Sequence, residues 1–238
     1  MARAVMPFPV LPGKTEADIR RIAERFKVEP DAYWESRRAV GISLERAYWQ
    51  HTPMGDFVVA YIESGSTVPE TVGAMAHDMS TMGRFFAESV LDVHGVDIAE
   101  PPQGAPPEIV AEWSDPDVSK RGRGFAFCAL LVPEQVERAR AWARETFASA
   151  DMTRTRRELR ECLEVVMLHD TPQGPMTGIY LEGEDPEAAN SAFAASDDPF
   201  DVAFRATLRE IYPPFIDFRE PVPGITEIFD SEALPART

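Results

Sequence analysis

A chain of 238 residues that is 44% hydrophobic can bury one large core or two modest ones, which excludes an intrinsically disordered protein. The 40 acidic residues outnumber the 24 basic ones and give a formal net charge of −16, so neither nucleic acid nor membrane is expected as a partner. No apolar run approaches the roughly 18 residues of a membrane span, and Pro7, Pro9 and Pro12 interrupt the N-terminal stretch before a signal-peptide core is complete. We therefore expect a cytoplasmic protein.

Apolar spacing and turn residues divide the first half into helices and strands. Thr15 and Asp18 have the spacing of a helix-capping box, and apolar residues follow them at the helical period. A Thr-Pro-Met-Gly turn separates two stretches rich in β-branched and aromatic residues. The predicted elements, in chain order, are a helix from Thr15, a helix over 31–40, strands over 45–51 and 56–63, a helix from Pro69 that breaks near Gly83, and an extended stretch over 94–102.

The second half predicts the same order of elements after a connector rich in Pro and Gly. Its predicted elements are a strand over 125–132, a helix over 133–147, an Arg-rich helix over 153–162, strands over 163–170 and 176–182, a helix from Pro186, and an extended stretch over 215–219. We therefore predict two domains, 1–113 and 124–238, with 114–123 as the linker.

An internal duplication relates the two halves. The segment from Glu45 to Glu63 reads ERAYWQHTPMGDFVVAYIE, and the segment from Glu164 to Glu182 reads EVVMLHDTPQGPMTGIYLE. At a constant offset of 119 residues they share both terminal glutamates, the Thr-Pro-x-Gly turn and the tyrosine two residues before the last glutamate. The order β-α-β-β-α-β in each half is that of the ferredoxin-like unit, whose sheet has helices on one face and leaves the other to be covered.

This duplicated order resembles the dimeric α+β barrel superfamily, in which two ferredoxin-like units pack sheet to sheet around a central cavity. The second half, with its TPQG turn, YLEGEDPEAA and ASDDPFDVAFRATLREI, is similar to small actinobacterial proteins of that class. The resemblance implies an α+β fold whose two βαββαβ repeats pack sheet to sheet as an intramolecular barrel. The superfamily includes cofactor-independent monooxygenases of antibiotic biosynthesis, polyketide cyclases, isomerases, haem proteins and proteins without known catalysis, and fold alone does not choose among them.

Strand alternation predicts which side chains face the helices and which face away. The helix-facing set is Ala47, Trp49, Val58, Ala60 and Ile62 in the first half, and Val166, Leu168, Thr177, Ile179 and Leu181 in the second. The opposite face would carry Arg46, Tyr48, Gln50, Phe57, Val59 and Tyr61, and Val165, Met167, His169, Met176, Gly178 and Tyr180. This second set favours a flat hydrophobic ligand. Interdigitation of the same side chains as core between two sheets is the alternative.

Three residues of that face are the predicted catalytic group. His169 would act as a general base, because the unperturbed pKa of imidazole lies near neutrality, while Arg46 and Tyr180 would stabilise a developing enolate or phenolate. A histidine at a strand end that is solvated or bound to the turn is the alternative for His169. The predicted substrate-binding residues are Tyr48, Gln50, Phe57, Tyr61, Met167, Met176 and Gly178.

Other candidate residues are more ambiguous. His51 is displaced by one residue from His169 in the repeat and should point to the other face of its sheet. The histidines lack metal-ligand spacing, and the two cysteines form no metal motif, so we expect no metal and no cofactor. Arg37 and Arg156 occupy equivalent positions, which favours either salt bridges or a site for a carboxylate or phosphate substrate.

The leading functional hypothesis is a small-molecule enzyme of bacterial secondary metabolism. It would act on a hydrophobic aromatic or polyketide-like substrate by cofactor-independent oxygenation, cyclisation or isomerisation. The alternatives are a non-catalytic ligand-binding or stress-associated barrel protein and a haem-binding barrel protein. The expected partner is a hydrophobic small molecule, and the fused halves allow either a monomer or a homodimer. The differences between the halves predict a single site, biased toward the second half.

Overall fold

The computed structural model of the protein describes residues 1–100 and 106–235, and within them it contains eight strands and eight α-helices. The strands are β1 (Ala2–Pro9), β2 (Ile42–Thr52), β3 (Gly55–Ser64), β4 (Glu108–Ser114), β5 (Arg123–Leu130), β6 (Glu161–Thr171), β7 (Gly174–Gly183) and β8 (Ile225–Asp230). The helices are α1 (Glu16–Val28), α2 (Pro30–Ala39), α3 (Val68–Ala76), α4 (Thr81–His94), α5 (Val136–Phe147), α6 (Ala150–Glu158), α7 (Pro186–Ala195) and α8 (Pro199–Ile211). None of these helices has the length and apolarity needed to cross a membrane.

Two four-stranded antiparallel sheets organise these elements. One has the strand order β1-β3-β2-β8, and the other has the order β4-β6-β7-β5. Among the described residues, 1–100 and 224–235 form one compact unit (unit 1), and 106–223 form the other (unit 2). The predicted α+β class with two ferredoxin-like repeats is confirmed. The packing of the two sheets against each other stays a prediction.

The last strand of each repeat belongs to the sheet of the other unit. β4 pairs with β6 in unit 2, and β8 pairs with β2 in unit 1. The predicted domains, 1–113 and 124–238 with linker 114–123, follow the sequence repeat. They therefore group β4 with the first repeat and β8 with the second, whereas the compact units include β4 in unit 2 and β8 in unit 1. The stretches predicted as extended, 94–102 and 215–219, contain no strand within the described residues, and the strands lie further along the chain.

Two details of the sequence prediction are refined by the structure. The order β-α-β-β-α-β includes a first strand in the first half without giving its range, and this strand is β1, which contains Pro7 and Pro9 and lies at the edge of its sheet, where missing backbone donors are tolerated. The helix predicted from Pro69 with a break near Gly83 is two helices, α3 and α4, and the break lies a few residues earlier, at 77–80. The hydroxyl of Ser80 accepts the amide hydrogen of Gly83 at 2.9 Å and so caps α4.

The repeated Thr-Pro-x-Gly sequence closes the turn between the central strands of each unit. Thr52 donates its hydroxyl to the carbonyl of Gly55, and Thr171 donates to Gly174, at 2.7 Å in both turns. The two glycines have φ values of 120° and 115°, which side chains rarely adopt. The geometry of the turn therefore explains why both halves have the same threonine and glycine.

Strand alternation identified the helix-facing side chains correctly. In unit 1, Trp49 and Val58 pack with Phe26 of α1 in the core between sheet and helices. In unit 2, Val166 and Ile179 line the same layer with side chains of α5 and α8. The predicted site residues consequently lie on the sheet faces that turn away from the helices.

Candidate functional site

All ten predicted site residues are buried. Five lie on β2 and β3 of unit 1, namely Arg46, Tyr48, Gln50, Phe57 and Tyr61. The other five lie on β6 and β7 of unit 2, namely Met167, His169, Met176, Gly178 and Tyr180. The strand register brings several together within each unit: Arg46 lies opposite Tyr61, Gln50 opposite Phe57, Met167 opposite Gly178, and His169 opposite Met176.

Arg46 lies among carboxylates at the end of β8. Its Nε is 3.0 Å from Oδ2 of Asp230, and its Nη2 donates to Oε2 of Glu232 at 2.6 Å. The Arg46 side chain is 1% exposed, whereas Asp230 is 17% and Glu232 is 44% exposed, so water screens the pair with Glu232 more than the pair with Asp230. The positive charge of Arg46 is therefore already balanced by this chain.

Each Tyr-x-Glu sequence of the repeat forms a buried hydrogen bond along one strand face. Tyr61 donates its hydroxyl to Glu63, and Tyr180 donates to Glu182, with an oxygen–oxygen distance of 2.7 Å in both. Glu182 also accepts the amide hydrogen of Gly122 at 3.1 Å. Residues two apart share a strand face, so the motif by itself supplies a donor to a buried carboxylate.

The histidines occupy different environments. His169 is 8% exposed, whereas His51 is exposed and lies 2.6 Å from Oδ1 of Asp56, which agrees with their predicted opposite orientations. His94 lies 2.9 Å from the carbonyl oxygen of Pro9, and burial lowers its pKa. His77 lies on the surface, with Nδ1 2.7 Å from the carbonyl oxygen of its own helix at Gly73.

Neither cysteine has the lowered pKa of an activated nucleophile, and the described part of the chain has no cluster of metal-ligating side chains. Burial raises the pKa of Cys128 to about 12 and that of Cys162 to about 11, so little thiolate exists at neutral pH. Among residues 1–100 and 106–235, no group of three or more His, Cys, Asp or Glu side chains has the arrangement needed to hold a metal ion.

The equivalent arginines Arg37 and Arg156 form buried salt bridges, which agrees with the first of their two interpretations. The Nε of Arg37 donates to Glu45 at 2.5 Å, and the Nε of Arg156 donates to Glu164 at 2.6 Å. These glutamates are the first residues of the two repeated segments. Each guanidinium also stacks on aromatic rings of its helical layer, with Arg37 4.4 Å from the centre of the Phe86 ring.

The two salt bridges differ in their surroundings. In unit 1, the hydroxyl of Tyr33 also donates to Glu45 at 2.9 Å, but Met152 stands at the equivalent position in unit 2. Conversely, Glu161 stands in β6 where Ile42 stands in β2. The Arg156 guanidinium therefore has a second glutamate 3.3 Å from its Nε.

The cluster around Arg156 includes a third carboxylate, Asp201 of α8, whose Oδ1 is 3.9 Å from Nη1 of Arg156. Burial raises the pKa of Glu161 to about 8, and the charges of Glu164 and Asp201 add to that effect, while Arg156 opposes it. A carboxyl group with such a pKa exists in both protonation states near neutrality. That property is common at functional sites.

A cavity of about 90 Å³ lies beside this cluster, between the sheet and the helices of unit 2. Arg140, Arg156, Glu161 and Glu164 form its charged wall, and Arg140 is paired with Glu108 and Glu137 outside the cluster. The apolar wall includes Trp142, Phe147, Val166, Ile179, Phe204 and Leu208. An apolar space with a few convergent polar groups has the composition of a small-molecule site.

Sequence analysis missed Glu161 and Asp201. Comparison of the repeats could have identified Glu161, because a glutamate at the position of Ile42 breaks the apolar pattern of an inner strand. Asp201 likewise lies among the apolar, core-facing positions of α8, next to Phe204 and Leu208. Both residues are charged exceptions in buried stripes, and such exceptions are informative.

Comparisons with known proteins identify the fold. No protein-family model matches the chain, and no curated protein matches its sequence. A structure described as an anthrone oxidase-like protein superposes with a TM-score of 0.52 at 9% identity, covering 94% of this chain and 88% of that one. A candidate monooxygenase from Fusobacterium nucleatum superposes with a TM-score of 0.50 at 10% identity and the same coverage of both chains. At these identities the likeness concerns the fold alone.

Proposed function

We propose that this protein is an enzyme that converts a hydrophobic aromatic or polyketide-like molecule of bacterial secondary metabolism by cofactor-independent oxygenation, cyclisation or isomerisation. The observation that carries the proposal is the burial of His169, 8% exposed, on the face of β6 turned away from the helices. Its neighbours on that face, Met167, Met176 and Gly178, are apolar. A buried imidazole beside these residues suits a general base that acts on a hydrophobic substrate.

The three reaction types share their first step, which is removal of a proton from a carbon beside a carbonyl group. His169 accepts the proton, and the electron pair stays on the substrate as an enolate. In an oxygenation, the enolate is oxidised by dioxygen, so that one O₂ converts a CH₂ group into a carbonyl group and releases one water. In an isomerisation the enolate is protonated at another carbon, and in a cyclisation it attacks a carbonyl of the same molecule.

The contacts of Arg46 and Tyr180 favour supporting roles over direct stabilisation of the enolate. Arg46 is paired with Asp230 and Glu232, and Tyr180 donates its hydroxyl hydrogen to Glu182. We therefore assign proton transfer to His169 alone. The remaining predicted residues are assigned to contact with the substrate, namely Tyr48, Gln50, Phe57, Tyr61, Met167, Met176 and Gly178.

An anthrone is a suitable first test substrate, because its CH₂ group is acidified by the conjugated carbonyl and because a protein of the same fold is described as anthrone oxidase-like. Oxygen uptake and quinone formation are measured with the purified protein. We expect His169→Gln to lower kcat/KM by about 10²–10⁴-fold. His51→Gln, which changes an exposed histidine at the equivalent strand end, should leave kcat/KM unchanged.

The outcomes separate the enzyme from the ligand-binding alternative. Full turnover by His169→Gln would contradict the assignment of the base. Saturable binding of the anthrone without oxygen uptake or quinone formation would favour the non-catalytic ligand-binding protein. A visible Soret absorption in the purified protein would instead favour the haem-binding alternative.

A further inference from the structure

The cluster around Arg156, beside the unit 2 cavity, carries an excess of negative charge. Glu161, Glu164 and Asp201 surround the single guanidinium of Arg156, at 3.3, 2.6 and 3.9 Å respectively. When all four groups are ionised, two negative charges are left uncompensated in a buried position, which is energetically costly. A cation that enters the cavity reduces this excess, whereas an anion increases it.

Two carboxylate oxygens of this cluster also lack hydrogen-bond donors. Within the described residues, Oε2 of Glu161 and Oδ1 of Asp201 accept no hydrogen bond, although the two residues are only 4% and 3% exposed. Glu161 lines the cavity directly. A buried carboxylate oxygen without a donor carries a desolvation cost that a ligand with N–H groups removes.

We propose that this cavity binds a short aliphatic amine, whose ammonium group donates to Glu161 while its hydrocarbon part occupies the apolar space. The volume of about 90 Å³ limits the size of this ligand. A dry cavity of about 150 Å³ accepts benzene, so the hydrocarbon part here has about three or four carbons. Isobutylamine has this size and shape.

Unit 1 shows why the site belongs to unit 2. The corresponding cavity of unit 1 has about 80 Å³ and is lined by Glu45. Glu45 accepts hydrogen bonds from both Arg37 and Tyr33, and Ile42 replaces the second glutamate. The exchange of Ile42 for Glu161 and of Tyr33 for Met152 adds one carboxylate and removes one donor in unit 2. Both changes favour a cationic ligand there.

Calorimetric titration of the full-length protein with isobutylamine tests the proposal, with isobutanol as the neutral ligand of the same shape. We expect the amine to bind with a Kd of about 1 mM or lower and at least about tenfold more tightly than the alcohol. Glu161→Ile, which copies the residue of unit 1, should remove this preference. His169→Gln should bind the amine like the wild type, because His169 lies on the other face of the sheet.

A second variant fills the space without touching the charges. Ala143 lines the cavity from α5, and Ala143→Leu should weaken both ligands by at least about tenfold if they occupy this volume. Equal affinity for isobutanol and isobutylamine, unchanged amine binding by Glu161→Ile, or absence of saturable binding to the wild type would each overturn the proposal. A loss of amine binding in Glu161→Ile while anthrone turnover persists would separate this site from the proposed catalytic one.

Discussion

Tyr180 donates its hydroxyl hydrogen to Glu182 across 2.7 Å, and Tyr61 makes the same bond to Glu63 in the other repeat. Glu63 is 0% exposed and Glu182 3% exposed, so each carboxylate needs donors from the protein. The partner lies two residues away on the same strand face, which makes the bond independent of sheet register. The shared Tyr-x-Glu sequence is therefore explained by the stability of each unit.

We expect Tyr180→Phe to lower the free energy of unfolding by about 1–3 kcal/mol, because a buried carboxylate loses a donor. Because the amide of Gly122 still donates to Glu182, we expect the loss of unfolding free energy to lie toward the lower end of that range. Tyr61→Phe is the matched variant and should cost a similar amount. Urea denaturation measures both. Unchanged stability of Tyr180→Phe together with lost anthrone turnover would contradict this role and favour a catalytic tyrosine.

Removal of the last strand tests the exchange of strands between the repeats. A chain that ends at Pro223 lacks β8, which pairs with β2 and contributes Ile228 and Phe229 to the core of unit 1. We expect unit 1 to lose its protection against hydrogen exchange, while β5, β6 and β7 keep theirs because all their strand partners are present. Mass spectrometry of exchanged peptides distinguishes the units. Loss of protection in β7 with retention in β2 would contradict this topology.

The sequence predicted those features of the fold that depend on local patterns. The Thr-Pro-x-Gly turns, the capping box at Thr15 and the inner and outer faces of the central strands all follow from residues a few positions apart. The strand exchange could not be predicted in this way. β4 lies in a segment that reads as a connector because it is flanked by Pro and Gly, and its partner β6 is chosen by tertiary packing.

The candidate cluster around Arg156 needed the structure for a different reason. Asp201 is 45 residues away from Arg156 in the chain, and no short motif joins a helix residue to an arginine of another helix. The sequence did show that Glu161 aligns with Ile42 when the two repeats are compared. Its significance follows only from its burial and from the nearby charges of two other carboxylates. The difference between Ile42 and Glu161 therefore indicates a candidate site only when the three-dimensional surroundings of Glu161 are known.

His94 should make the protein sensitive to mild acid. Its side chain is held between the Phe8 ring and the carbonyl oxygen of Pro9, and burial lowers its pKa below the ordinary value of 6.5. The unfolded chain therefore takes up a proton at this residue at a higher pH than the folded chain does, and stability is lost as the pH falls from 6.5 toward the lowered pKa. His94→Gln should flatten the stability curve between about pH 7 and pH 5.

Chemical denaturation across that range measures the effect. His51→Gln is the comparison variant, since it replaces an exposed histidine without changing the core. Parallel curves for His94→Gln and the wild type would contradict a buried, neutral His94.

Glu161 should have the opposite dependence on pH. Its folded pKa of about 8 lies above the ordinary 4.5, so the unfolded chain loses this proton first as the pH rises. The stability contributed by the protonated group is complete below about pH 4.5 and is lost as the pH rises toward 8. Glu161→Ile removes the group, so its stability advantage over the wild type should grow by about 2–3 kcal/mol from pH 5 to pH 7.5.

Two variants separate charge from shape in this measurement. Glu161→Gln keeps the volume and removes the titration, so it should flatten the curve in the same way. Ile42→Glu installs the carboxyl at the equivalent position of unit 1, where it should lower stability more at pH 7.5 than at pH 5. If Glu161→Ile and the wild type instead ran parallel, Glu161 would be ionised throughout this range, and its attraction to Arg156 would outweigh the desolvation that the buried position imposes.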